Sequence, residues 1–176
     1  GIDLKTFGDL SGYKFYRVDF RNSNIHNLHF CKNQFSRCDF SNCNFKNTTF
    51  EKCIMRHSRF LHSDLAVTKF LGCDLYNANF SAISSFKSEF IKCDISYSFL
   101  KWARFIESKF QNTNVSHSNI YGIATWDCKV EQVEQEELVI SSPNSSEPSI
   151  SVDNLEIGQF IYLLLSNENI RNVLDT

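Results

Sequence analysis

Proline is nearly missing from this 176-residue chain: there are two, Pro143 and Pro148, both in one stretch near the C-terminal end. Glycine is scarce as well. The six glycines, at positions 1, 8, 12, 72, 122 and 158, make neither a phosphate-binding loop nor a dinucleotide fingerprint. No run of eighteen apolar residues occurs, so no segment reads as a membrane-spanning helix. The start, Gly1-Ile2-Asp3-Leu4-Lys5, has no leader pattern and no initiator Met, and it suggests a trimmed chain or an internal fragment. Neither sign of charge dominates the whole: the formal net charge is −2. That figure conceals a split. Residues 1–130 hold seventeen Lys/Arg against eleven Asp/Glu, a net of +6, whereas residues 131–176 hold Arg171 against nine acids, a net of −8.

What the chain does have is a comb. From Leu10 to Ile120 a large apolar residue stands at every fifth position, interrupted only at Ser85. Thirteen of the seventeen phenylalanines lie on it. Amphipathic helices need apolar spacings of three and four, and half-buried strands need two. A period of five serves neither. It suits a solenoid that turns a corner every five residues and sends one side chain per side into a shared interior. Two positions before each comb residue the side chain is usually small, as in Cys43, Thr48, Cys53, Ser58 and Ser63. One position before it is often Asp or Asn, residues suited to tight turns. The remaining two positions are mostly polar.

This unit of small, Asp/Asn, large apolar, polar, polar resembles the repeat of the pentapeptide-repeat family, and it runs through 23 consecutive units. The resemblance implies an all-β solenoid, a right-handed quadrilateral β-helix of about six coils with four units to a coil; the residues beyond it read as a linker and a short α-helix. At ~4.8 Å per coil the rod would be roughly 25–30 Å long. Residues 1–125 are read as the β-helix, 126–150 as a cap and Ser/Pro/Glu linker, and 151–176 as a short helical segment leading to a further domain.

Five of the seven cysteines (Cys38, Cys43, Cys53, Cys73 and Cys93) occupy the small slot. Cys53, Cys73 and Cys93 would stack in one column, which invites a metal or redox reading. A reduced thiol acting as a small buried hydrophobe is the plainer account, and it implies a reducing, cytoplasmic setting. His57, His62 and His117 fall in outward slots without zinc-like spacing to cysteine. The expectation is therefore no catalytic residue, no cofactor, no metal and no small-molecule substrate; the chain is read as not an enzyme. Its Lys and Arg are spread over all four sides among acids, so no nucleic-acid partner is expected either. Some pentapeptide-repeat proteins are acidic rods that follow the charge outline of DNA and bind type II topoisomerases. A mildly basic rod argues against that role.

The comb ends at Ile120, and Trp126, Val130 and Val133 read as a cap over Tyr121–Val133. Beyond the Ser- and Pro-rich linker, Ser151-Val152-Asp153-Asn154 supplies helix-start signals with Glu156 in the first turn. Leu155, Ile157, Phe160, Ile161, Leu164 and Leu165 follow at helical spacing, and Ile170–Leu174 suits a second short turn. The stretch from Val152 through Gln159-Phe160-Ile161-Tyr162 to Ile170-Arg171-Asn172-Val173-Leu174 resembles the segment that joins pentapeptide repeats to a Toll/interleukin-1-receptor-like domain in multidomain bacterial proteins. Such domains often cleave NAD, and several act in anti-phage defence. The resemblance implies that this chain is the assembly half of a larger effector.

Late in the rod, slots expected to be polar turn apolar. Leu71 and Ile91 share one outward column, Phe86 and Ile106 share the column at the neighbouring corner, and Tyr97, Phe99 and Trp102 form a second cluster. Phe86 either points outward or replaces Ser85 inward through a bulge. With Phe160 and Leu164 of the tail, these residues are the candidate interface, since contiguous apolar patches mark contacts. The tail helix covers the patch within one chain, or copies associate through it. The leading expectation is a non-enzymatic scaffold that oligomerises; the alternative is a topoisomerase-binding inhibitor or protector.

Overall fold

The computed structural model describes Leu4 and residues 10–141 and 149–167. The linker residues 142–148 and the expected second turn at 170–174 lie outside the described residues. Eleven three-residue strands follow one another: β1 (Lys14–Tyr16), β2 (His29–Cys31), β3 (Gln34–Ser36), β4 (Thr49–Glu51), β5 (Lys69–Leu71), β6 (Ser84–Phe86), β7 (Glu89–Ile91), β8 (Arg104–Ile106), β9 (Lys109–Gln111), β10 (Ala124–Trp126) and β11 (Lys129–Glu131). Each ladder is parallel, with partners twenty residues apart, as Phe50 opposite Phe70 and Phe70 opposite Phe90. The longest sheet runs β2-β4-β5-β7-β9-β11 along one side, and β6-β8-β10 lie on the adjoining side. Isolated bridges such as Asn79 to Phe99 and Asp74 to Asp94 carry the other two sides. Four five-residue sides make one course of a square coil, as expected.

The comb residues fill the shaft. Phe30, Phe50, Phe70, Phe90 and Phe110 are all within 1% of complete burial, and their rings stack with centroids 5.1, 5.1, 4.9 and 5.1 Å apart. On the opposite side Phe20, Phe40, Phe60 and Phe80 stack at 4.8, 5.3 and 4.7 Å. The two columns meet edge to face, as in Phe60 against Phe70 and Phe70 against Phe80. Burying one such side chain contributes about 1.5–3 kcal/mol, and a well-placed ring pair adds about 0.5–1.5 kcal/mol.

The small slot proves to be chosen for its donor as well as its size. Thr48 Oγ1 donates to the Ile25 carbonyl, Ser63 Oγ to Phe40, Cys93 Sγ to Phe70 and Thr113 Oγ1 to Phe90, each across 23 residues into the preceding course. These contacts satisfy carbonyls inside a shaft of fully buried side chains. Burial pushes the Cys38 and Cys43 thiols up to about 11. They stay protonated at neutral pH and serve as donors, and a protonated thiol is a poor nucleophile.

The corners impose a demand that composition hides. From Gly12 to Glu137 every fifth residue has a left-handed φ: twenty-three are non-glycine and three are Gly12, Gly72 and Gly122. At this position the chain swings from one side to the next, and the residue's N–H donates to the neighbouring course, as Val67 N–H does to the Phe86 carbonyl at 2.7 Å. For an L-residue this conformation costs about 1–2 kcal/mol, less for Asn. Val67, with φ 58°, is the one β-branched residue at such a corner.

The coil also runs further than the comb. Thr125, Val130, Gln135 and Ile140 continue the five-residue series, and the bridges Asn114–Glu134 and Asn119–Val139 complete another course. Residues 121–133, expected to cap the rod, are built into it. Backbone pairing to the course beneath holds them there despite Thr and Gln in inward slots. Beyond it, β12 (Leu138–Val139) pairs antiparallel with β13 (Ser151–Val152), and α1 (Leu155–Ser166) ends the described chain. Val67→Asn is expected to raise stability by about 1 kcal/mol in denaturant unfolding, because Asn tolerates the left-handed corner that a β-branched side chain resists.

Candidate interaction surface

Helix α1 begins where the sequence signals place it. The Asn154 Oδ1 accepts the N–H groups of Glu156 and Ile157 at 2.8 and 3.0 Å. The helix then lies across the last course, and small contacts fix it there. Gly158 rests on Ile120, Val152 and Ile140, so close that a Cβ would collide with the Ile120 Cδ1. Next to it the buried Gln159 Oε1 accepts both the backbone N–H and the hydroxyl of Thr125, at 2.5 and 2.7 Å. The Leu155 N–H donates to Gln135 Oε1 at 2.9 Å. The two polar residues in the inward slots of the last course, Thr125 and Gln135, thus become the anchors of the helix.

Docked this way, α1 buries Leu155, Gly158 and Gln159 and leaves large apolar side chains outside. Ile157 is 53% exposed, Phe160 61%, Leu163 45% and Leu165 48%. Leu164 is half-buried. Of the two expected tail residues, Phe160 therefore faces outward and Leu164 only in part.

The rod residues divide in two. Phe86 points outward and Ser85 remains inside, where its hydroxyl meets those of Ser88 and Ser108; no bulge exchanges them. Strand pairing stacks Phe86 on Ile106 and Ile106 on Trp126, and all three are exposed. Trp126 in turn lines a groove with Phe160 and Leu163. A continuous apolar strip thus climbs from Phe86 to the outer face of α1. Leu71 and Ile91 pair with each other on the long sheet and are half-buried. The ion pairs Lys69–Glu89 (2.9 Å) and Lys87–Glu107 (3.3 Å) stand between them and the strip.

The second expected cluster takes a different form. Tyr97 stacks on His117 at 4.6 Å and tilts against Tyr76 at 5.5 Å. Trp102 meets Tyr121 edge-on at 5.8 Å, and Tyr121 meets Tyr162 of α1 at 5.1 Å. Phe99, 39% exposed, lies beneath the Lys101 ammonium. The aromatic series from Trp102 through Tyr121 reaches the helix from the other flank. Sequence reasoning left Trp126, Tyr121, Ile157 and Leu163 out of the candidate interface. Trp126 had a signal: it stands twenty residues after Ile106, legible once the five-residue count is carried past Ile120.

Among the described residues no three His, Cys, Asp or Glu side chains gather as metal ligands would, and no helix is long and apolar enough to cross a membrane. Against solved structures, the chain superposes on a trypsin-treated variant of QnrB1, a plasmid-mediated fluoroquinolone resistance protein, with TM-score 0.66 at 16% identity. This chain is covered to 71% and spans 63% of the length of that one. The fold is the quadrilateral β-helix of pentapeptide-repeat proteins. HetL, a pentapeptide-repeat protein involved in heterocyst differentiation regulation in the cyanobacterium Nostoc, is 13% identical over 79% of this chain and 70% of its own, with TM-score 0.37. A family model described as the SV2A/B/C luminal domain matches residues 10–80, the N-terminal part of this β-helix. No curated protein sequence matches the chain.

Replacing Gly158 by Val is expected to lift α1 from the β-helix, because the added carbons meet Ile120, Val152 and Ile140 together. Limited proteolysis should then cut within 150–167 at least about tenfold faster while the rod's far-ultraviolet circular dichroism stays unchanged.

Proposed function

We propose that this chain is a non-enzymatic interaction module of the pentapeptide-repeat type, a stiff square rod whose copies associate through the apolar strip at its C-terminal end. One observation carries the reading: Phe86, Ile106 and Trp126 join Phe160 and Leu163 in a strip that α1 extends rather than covers. An exposed, contiguous run of large apolar side chains, flanked on the rod by the ion pairs Lys69–Glu89 and Lys87–Glu107, favours contact with another protein surface. Tryptophan, phenylalanine and isoleucine there have few rotamers to lose on binding, which suits anchor residues.

The division into rod, cap and linker, and helical tail belongs to the same proposal. The tail's resemblance to the segment preceding Toll/interleukin-1-receptor-like domains extends it: association of the rods would bring attached effector domains together in a bacterial cytoplasm, with anti-phage defence as the setting. The seven free cysteines among the described residues agree with a reducing compartment. A second reading, binding to a type II topoisomerase, has the fold likeness to QnrB1 in its favour and the net charge of +6 over residues 1–130 against it.

Phe86→Asp combined with Ile106→Asp should lower the mass measured by light scattering toward that of one chain, with circular dichroism unchanged because both side chains are already outside the core. A wild-type chain that stays monomeric at high micromolar concentration would overturn the proposal. In a gyrase supercoiling assay the chain is expected to have no effect; inhibition, or rescue from a fluoroquinolone, would favour the second reading.

A further inference from the structure

The charge of the rod is graded along its axis. Residues 10–60, its first courses, carry nine Lys/Arg against three Asp/Glu, and Lys14, Arg17, Arg21, Lys32 and Arg37 are all exposed. Residues 131–167 carry seven acids and no Lys or Arg, and Glu134, Glu136, Glu137, Asp153 and Glu156 are exposed around α1. These poles are about six courses apart, or roughly 30 Å. The Debye length near physiological salt is about 8 Å, so within one molecule the poles barely sense each other. Between two molecules brought end to end they would lie in contact.

Each pole also carries apolar contact area. At the acidic pole it is the outer face of α1, with Ile157, Phe160 and Leu163. At the basic pole Tyr13 is 57% exposed and Tyr16 61%, and the Arg17 guanidinium lies 5.3 Å from the Tyr16 ring centroid. An aromatic surface edged by cations matches an apolar surface edged by carboxylates. Two acidic poles placed face to face would instead crowd two sets of glutamates around one apolar contact, and like charges at an interface cost affinity.

We infer that the occupant of the α1 face is the basic first course of a second copy, so that the chains join head to tail. This rests on the self-association proposed above and specifies its geometry. A head-to-tail contact is heterologous: each copy keeps one free pole of each kind, and the assembly grows along the rod axis instead of closing at two copies. Successive rods would then present their C-terminal segments at a regular repeat.

Two double variants of the full 176-residue chain test this. Lys14→Glu with Arg17→Glu turns the net charge of the first course, residues 10–29, from +2 to −2, and Phe160→Asp with Leu163→Asp spoils the acidic pole; all four residues are exposed, and circular dichroism checks that each variant folds. By sedimentation velocity, the wild type should grow past two copies with concentration. Raising NaCl from about 50 to 500 mM should weaken its association roughly tenfold. Either variant alone should sediment as a monomer, and an equimolar mixture should form a one-to-one pair and nothing larger, because only one intact pole of each kind remains. A basic-pole variant that assembles like the wild type would overturn the head-to-tail geometry while leaving self-association standing. So would a wild type that stops at two copies, or one that associates more tightly in high salt. A wild type monomeric throughout would remove self-association itself.

Discussion

Everything in this molecule depends on closing a square every twenty residues, and the backbone can do so only by taking a left-handed conformation at each corner. That conformation costs an L-residue about 1–2 kcal/mol. Here it is met by histidine, lysine, arginine, tryptophan and even valine far more often than by glycine. The cost is offset locally: one large apolar side chain per corner goes into the shaft, contributing about 1.5–3 kcal/mol. Backbone N–H and C=O groups then find partners in the courses above and below. The ring stacks and the strained corners are two aspects of one constraint. Because the phenyl groups must lie about one course apart, at 4.7 to 5.3 Å, strand spacing and ring stacking coincide. The chain therefore gains from both in the same geometry.

A stack of this kind has no natural end, since its last course presents ladder groups that would pair with any strand offered. The chain resolves this with polar residues in slots that elsewhere hold phenylalanine. Thr125 and Gln135 hydrogen-bond α1, and Gly158 lets the helix approach closely enough to cover Ile120 and Ile140. The consequence for function is direct. A helix seated by its glycine and glutamine turns its isoleucine, phenylalanine and leucines away from the rod. Covering one exposed edge thus creates an apolar face beside Trp126, and the proposed assembly grows from that face.

Most of the architecture was legible in the residues. The five-residue comb located every buried phenylalanine in the shaft, the small slot located the buried cysteines, and Asn154 located the helix start. Ser85 was visible as a break, but whether it or Phe86 faced inward was not, because both choices preserve the local count. Strand pairing with Arg104–Ile106 settles it by holding the register. The coil's extension to Ile140 escaped for a related reason. A period defined by hydrophobicity disappears where Thr125 and Gln135 occupy inward slots, although backbone pairing continues unchanged.

The amino-acid sequence by itself determined the repeat, the residues that line the shaft, and the excess of acid at one end, because each follows from spacing and composition alone. Tertiary structure decided which way α1 is rolled, how Trp126 comes to lie beside Phe160, and that Leu71 and Ile91 stand apart from that strip. These outcomes depend on side chains meeting across twenty to forty residues. A close approach at Gly158 and two hydrogen bonds to Gln159 outweigh the tendency of the larger apolar side chains to turn inward.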